Sequence, residues 1–148
     1  MNDKEGLHCD PSINAHTYFH VPGDRFSTAS GTYTALDTLK LPESTAVLLC
    51  SALGGYLAEI ESESEHNSLL PFLDSQAAYW IGGGDKRIEG TFEFERNWVN
   101  MTYFKWADGQ PATGNSGEKR DCIVLKFGAW YDNQCHKQRR LICEYDGN

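Results

Sequence analysis

Hydrophobic and polar positions change over in short runs along most of this chain, and only two stretches carry the wider spacing of a helix. Thr17-Tyr18-Phe19-His20-Val21 alternates with the period of a strand, and Pro22-Gly23-Asp24 ends it. From Arg25 to Leu41 the chain is rich in Thr and Ser and has no period on which to assign an element. Pro42-Glu43 suits a first helical turn; Val47, Leu48, Cys50 and Leu53 then supply an inward face before Gly54-Gly55 stops it. After the connector Leu57-Ala58-Glu59-Ile60, Ser62-Glu63-Ser64-Glu65 forms a capping box that opens a second helix. That helix buries Leu69, Leu70 and Leu73, and Pro71 kinks or shortens it, because an interior proline costs roughly 3 kcal/mol.

The second half reads as strands and loops. Tyr79-Trp80-Ile81-Gly82 is an apolar strand running into glycines, and Thr91-Phe92-Glu93-Phe94-Glu95 alternates behind the turn at Gly90. Asn97 to Lys119 has turn chemistry without a period, but interleaved aromatics (Trp98, Tyr103, Phe104, Trp106) predict an ordered loop, which in a compact domain is a functional one. Three apolar runs follow, Cys122–Leu125, Gly128–Asp132 and Leu141–Glu144, separated by turn residues. With three cysteines in or beside them they predict a small antiparallel sheet stapled by disulfides.

At 148 residues the chain has room for one domain and one core. A net charge of −8 with a pI near 5.0 argues against nucleic acid, which needs a basic face to neutralise phosphates. No run is long enough to span a bilayer. The five cysteines contain no Cys-x-x-Cys pair, a pattern that suits disulfides better than zinc and points to secretion. Met1–Pro11 is not a signal peptide, so a secreted form is expected to have lost its signal. Asn100-Met101-Thr102 is a glycosylation acceptor, a motif short enough to arise by chance.

Two helices, the Trp80-Ile81-Gly82 strand, Glu89-Gly90, a Trp-rich long loop, then Cys122, Trp130, Asp132, Cys135 and Ile142-Cys143-Glu144 come in an order that resembles the C-type lectin-like domain. The resemblance runs from Tyr18 to Tyr145, dividing the chain into an N-terminal segment, 1–16, and a domain, 17–146. It implies an α+β fold with two helices, small antiparallel sheets and a long irregular loop region, and disulfides Cys50–Cys143 and Cys122–Cys135. Cys9 is left over: Thr17 stands where long-form members carry the partner cysteine. An odd cysteine in a secreted chain predicts an interchain bond, here a disulfide-linked homodimer.

The resemblance also implies a sugar site. Sugar-binding members hold calcium with a Glu-Pro-Asn or Gln-Pro-Asp tripeptide, an acidic residue before the later cysteines and an Asn-Asp after the Trp; the ion and its ligands together take two sugar hydroxyls. Here the tripeptide is Gln110-Pro111-Ala112, the pair after Trp130 is Tyr131-Asp132, and Glu118 is the candidate for the remaining acid. The remnant metal set is therefore Gln110, Glu118 and Asp132. At the accessory calcium site Asp85, Glu89 and Asp121 match, whereas Thr113 and Arg120 replace acids, and Arg120 places a positive charge where a cation would sit. The expectation is sugar binding through Gln110, Glu118, Tyr131 and Asp132 with weak or absent calcium dependence. The Gln favours galactose or N-acetylgalactosamine and related N-acetylhexosamines. A secreted dimer would agglutinate cells or microbes, as in innate defence. The alternative is a lectin-like domain that binds protein, ice or mineral and has lost sugar recognition.

Blander roles are expected for the rest. Trp80, Trp98, Trp106 and Trp130 read as core anchors, His66 and His136 as surface residues, and Glu59, Glu61, Glu63 and Glu65 as a solvated helix start. No enzyme is expected: Ser51, His66 and Asp74 lack the context of a nucleophile with its base, and Cys122 and Cys135 are committed to a bridge.

Overall fold

The structure, a computed structural model, describes residues 23–112 and 119–147. The Thr17–Val21 strand, Cys9, Thr113 and Glu118 lie outside the described residues. The order is β1 (Arg25–Thr28), β2 (Gly31–Leu41), α1 (Glu43–Ala52), β3 (Tyr56–Leu57), α2 (Glu63–Leu69), a 3-10 turn (Leu70–Phe72), β4 (Tyr79–Ile88), β5 (Thr91–Phe94), β6 (Val99–Asn100), β7 (Cys122–Lys126), β8 (Ala129–Asn133) and β9 (Arg139–Tyr145).

Tyr79-Trp80-Ile81 has no polar alternation because both faces of β4 are covered, and its buried stretch continues through Asp85. β4 pairs antiparallel with β5 and β7 and parallel with β9. β9 pairs in turn with β2 and β3, and β7 and β8 form a hairpin. The strand is longer than its apolar run predicts. Gly84 permits the bend: its position lies directly against the Asp121 carbonyl, where a Cβ would collide with backbone, and the β4–β7 register slips between Ile81 and Gly84.

The Thr/Ser-rich stretch without a period is the β1–β2 hairpin. Its strand signal is hidden because Tyr33, Thr34 and Ala35 are consecutive buried residues, Thr34 bonding the Tyr145 hydroxyl at 3.0 Å. The first helix forms where expected, but its buried stripe is Glu43, Ala46 and Cys50, while Leu48 is 68% exposed and Leu53 41%. The Cys50–Cys143 bridge fixes which side faces inward, and Leu48, two residues earlier, points away on a 3.6-residue turn. Both expected disulfides are present. The first ties α1 to β9 across 93 residues, a closure worth roughly 4 to 5 kcal/mol at most; Cys122–Cys135 spans 13 residues.

The capping box opens α2: Ser62 Oγ accepts the Glu65 N–H at 3.0 Å, while Glu65 Oε1 accepts the Glu61 N–H at 2.8 Å. Pro71 shortens the helix into the 3-10 turn; Leu69 is fully buried, and Leu70 and Leu73 pack partly against the core. The acidic run is not wholly solvated, since Glu59 and Glu65 are buried, Glu59 against Arg96 and Glu65 under the Tyr33 hydroxyl at 2.6 Å. His66 is buried rather than on the surface, and Trp98 is exposed rather than in the core.

Candidate functional site

Trp130 on β8 anchors the site. It is fully buried, and Tyr103, Phe104 and Trp106 from the long loop meet its ring edge-on, with centroids 5.6, 6.4 and 6.1 Å away. The loop main chain docks on the same residue: Trp130 N–H donates to Lys105 O at 2.8 Å, and Ala107 N–H to Trp130 O at 2.9 Å. The indole N–H donates to His66 Nδ1 at 3.2 Å, and His66 Nε2 donates to Gly128 O at 2.9 Å. Burial holds His66 below the ordinary imidazole range, consistent with this neutral tautomer. With both ring nitrogens taken, His66 has no free nitrogen with which to act as a base for Ser51.

Anchored in this way, the loop brings Gln110 to β8, where its side-chain oxygen accepts the Asp132 N–H at 3.0 Å. Gln110 joins Pro111 through a cis peptide bond. Gln110, Arg120, Tyr131 and Asp132 line one groove of about 510 Å³. Alternation along β8 separates the last two: Asp132, only 1% exposed, shares the buried face with Trp130, and half-buried Tyr131 packs toward the cluster around Cys50 and Trp80. The expected convergence of three side chains is thus a Gln110–Asp132 pair, with Tyr131 approaching the groove from the other side of the strand. Glu118 lies outside the described residues.

Among the described residues, Gln110 and Asp132 are the side chains left at the remnant metal position. Ala112 offers no oxygen ligand from its side chain, and Arg120 lines the groove with Gln110 and Asp132. Three acids of the accessory set remain together and fit a hard cation, whereas Arg120, expected beside them, lines the Gln110–Asp132 groove and Thr113 lies outside the described residues. Ligand atoms of Asp85, Glu89 and Asp121 all lie within 4.8 Å of one another. Asp85 Oδ2 accepts the Gly90 N–H at 2.9 Å, but Asp85 Oδ1 and Asp121 Oδ1 are buried without a hydrogen-bond partner among the described residues. A hydrogen bond shared with Asp85 raises Glu89 above the ordinary carboxyl range, and burial, then the Asp85 charge, raises Asp121. Lys119 and Lys86 offset this only in part at Asp121, the Lys86 ammonium being engaged by Glu43 and Glu95 at 2.8 Å each.

Sequence reasoning missed the cations of the groove: Lys40, Lys126, Arg139 and Arg140 also line it. They come from the end of β2, the end of β7 and the start of β9, so no local motif signals them.

Two helices on a sheet built around β4, an α1–β9 disulfide, a second bridge beneath the loops and an aromatic loop seated on Trp130 define a C-type lectin-like α+β domain. Residues 40–145 match the Lectin C-type domain family, and the chain belongs to that family. It is 33% identical over 103 residues to a tetranectin-like protein of Carcharhinus perezii, covering 65% of this chain and 60% of that one. Perlucin of Haliotis laevigata is 32% identical over 114 residues, 72% of each chain. C-type lectin domain family 4 member D of Homo sapiens is 29% identical, and this chain covers 46% of its length, so such relatives are longer proteins. Among solved structures, the mouse scavenger receptor C-type lectin carbohydrate-recognition domain superposes with a TM-score of 0.78 at 25% identity, covering 87% of this chain and all of that one.

Proposed function

We propose that this domain is a secreted lectin that binds galactose or N-acetylhexosamine-terminated glycans in the Gln110–Asp132 groove without a calcium ion at that position. The observation that carries this is the Gln110–Asp132 hydrogen bond: the loop is held on β8 by the protein's own donor and acceptor, and a cationic residue, Arg120, lines the same groove. Its similarity to a domain described as a carbohydrate-recognition domain supports the reading. The Gln110 amide nitrogen, Arg120 and the Tyr131 hydroxyl supply hydrogen-bonding groups for sugar hydroxyls, and the Tyr131 ring an apolar face for an acetyl methyl. Asp85, Glu89 and Asp121 would hold a calcium ion; bound there, it neutralises their charges. Cys9 joins two chains, so paired sites agglutinate cells or microbes by effective concentration.

Glycan binding to immobilised galactose and N-acetylgalactosamine tests this with and without chelator. Retained binding in chelator is the expected result, and complete loss would reject calcium independence. The second reading, a domain that binds protein, ice or mineral, draws on the loss of a ligand at Ala112; a glycan array blank in both conditions would favour it. Cys9→Ser should keep monosaccharide affinity and abolish agglutination.

A further inference from the structure

The groove that holds Gln110 and Asp132 is basic on a chain whose net charge is −8. Lys40, Arg120, Lys126, Arg139 and Arg140 line it against two acids, Asp74 and Asp132. Arg140 is committed, with one guanidinium nitrogen 3.4 Å from Asp74 and 3.8 Å from Asp37. The others differ. Lys126 lies 4.9 Å over the Phe127 ring, Arg139 donates to the Gln138 carbonyl at 3.1 Å, and no described ion pair joins Lys40, Lys126 or Arg139 to an acid. Two further polar atoms of lining residues, Arg140 Nε and Asn133 Oδ1, are buried without a hydrogen-bond partner among the described residues.

Hydroxyls of a neutral sugar do not call for three cations without acid partners among the described residues in one concavity, whereas an anionic substituent does. We propose that this groove takes the sulfate or carboxylate group of an acidic glycan, on a sugar next to the one at Gln110 and Asp132. The inference rests on the lectin reading of that site and names its ligand class. A guanidinium matches two oxygens of a sulfate or carboxylate at once, and the lysines add point charges beside it. The volume, about 510 Å³, falls within the range that encloses a ligand of small-molecule size. The acidic remainder of the chain repels a long uniform polyanion, which selects a short charged segment over nucleic acid.

Titration of the full chain with a sulfated galactose oligosaccharide, its desulfated form and a uronate-containing oligosaccharide tests the assignment. The sulfated or the uronate ligand should bind about tenfold tighter than the neutral one at low salt, the scale of one charge-assisted hydrogen bond, and the advantage should shrink as salt rises. Which of the two gains identifies the anion. Lys40→Glu and Arg139→Glu should each remove the advantage and leave neutral-sugar affinity unchanged. Lys137→Glu makes the same charge change at an exposed residue outside the groove lining, and should keep it. Equal affinity for charged and neutral ligands would overturn the proposal, as would an equal effect of Lys137→Glu or equally tight binding of a short single-stranded DNA. Charged-ligand binding that depends on Lys40 and Arg139, without any neutral-sugar binding, would uphold the anion groove and remove the Gln110 sugar site.

Discussion

Gln110 and Asp132 are 22 residues apart in sequence, and one bond of 3.0 Å, from the Asp132 main-chain N–H to the Gln110 side-chain oxygen, closes the long loop onto β8. A side chain that holds the main chain of a binding strand acts on both stability and recognition. Gln110→Ala should cost about 1 kcal/mol in stability, the usual net worth of one hydrogen bond. Glycan affinity should fall at least tenfold. Gln110→Glu keeps the acceptor and should retain most of the stability. Denaturant titration and calorimetric glycan titration separate the two effects.

Calcium should raise the melting temperature through Asp85, Glu89 and Asp121. At a hundredfold excess over its dissociation constant the ion adds about 2.7 kcal/mol. Asp85→Asn should abolish the shift. Glu89 and Asp121 are both raised above the ordinary carboxyl range, so they take up protons earlier than exposed acids and calcium affinity should weaken as pH falls. Melting with and without calcium across pH 5 to 8 checks both statements.

Glu144 is pushed up to about 7 by burial first, then by Glu65, Glu59 and Glu61. An unfolded Glu titrates near 4.3, so the folded state holds this proton longer; the stability it contributes is present in acid and is lost as pH rises toward 7. Glu144→Gln keeps an acceptor for the Glu59 N–H, which the native Oε1 takes at 2.9 Å. The variant should be more stable than the native chain by about 1–3 kcal/mol at pH 8, a difference that closes below about pH 4. Urea unfolding at the two pH values measures it.

His66 gives the opposite slope. Burial depresses its folded pKa, so below about 6.5 the unfolded chain binds the proton that the folded chain refuses, and stability falls with pH. His66→Phe should remove this acid sensitivity and cost about 1–3 kcal/mol at pH 8, because the buried Trp130 N–H loses its acceptor. Urea unfolding of native and variant chains between pH 5 and 8 is the check.

Much of the fold was legible because it is written locally. The Ser62–Glu65 cap, the Trp80-Ile81-Gly82 strand and the apolar runs at Cys122, Gly128 and Leu141 each carry their own spacing. β2 escaped because a strand covered on both faces loses the two-residue period, as Tyr33, Thr34 and Ala35 show. His66 and Glu65 were misplaced for a related reason: a polar side chain is read as exposed unless its partner is known, and Trp130 and Tyr33 lie 64 and 32 residues away. Trp98 errs the other way, its ring outside the core beneath Arg87 at 4.5 Å.

The site divides along the same line. By itself the sequence determined which residues are present: Gln110 without a following Asn or Asp, Arg120 where an acid would stand, and Asp85, Glu89 and Asp121 as a matching set. Only the tertiary structure decided what they meet, because direction along β8 separates Asp132 from Tyr131, and the β4–β7 register brings Asp121 to Asp85. Net charge is a sum over residues and says nothing about position. An acidic chain can therefore gather Lys40, Lys126 and Arg139 into one groove, since their meeting is set by strand pairing rather than by spacing along the backbone.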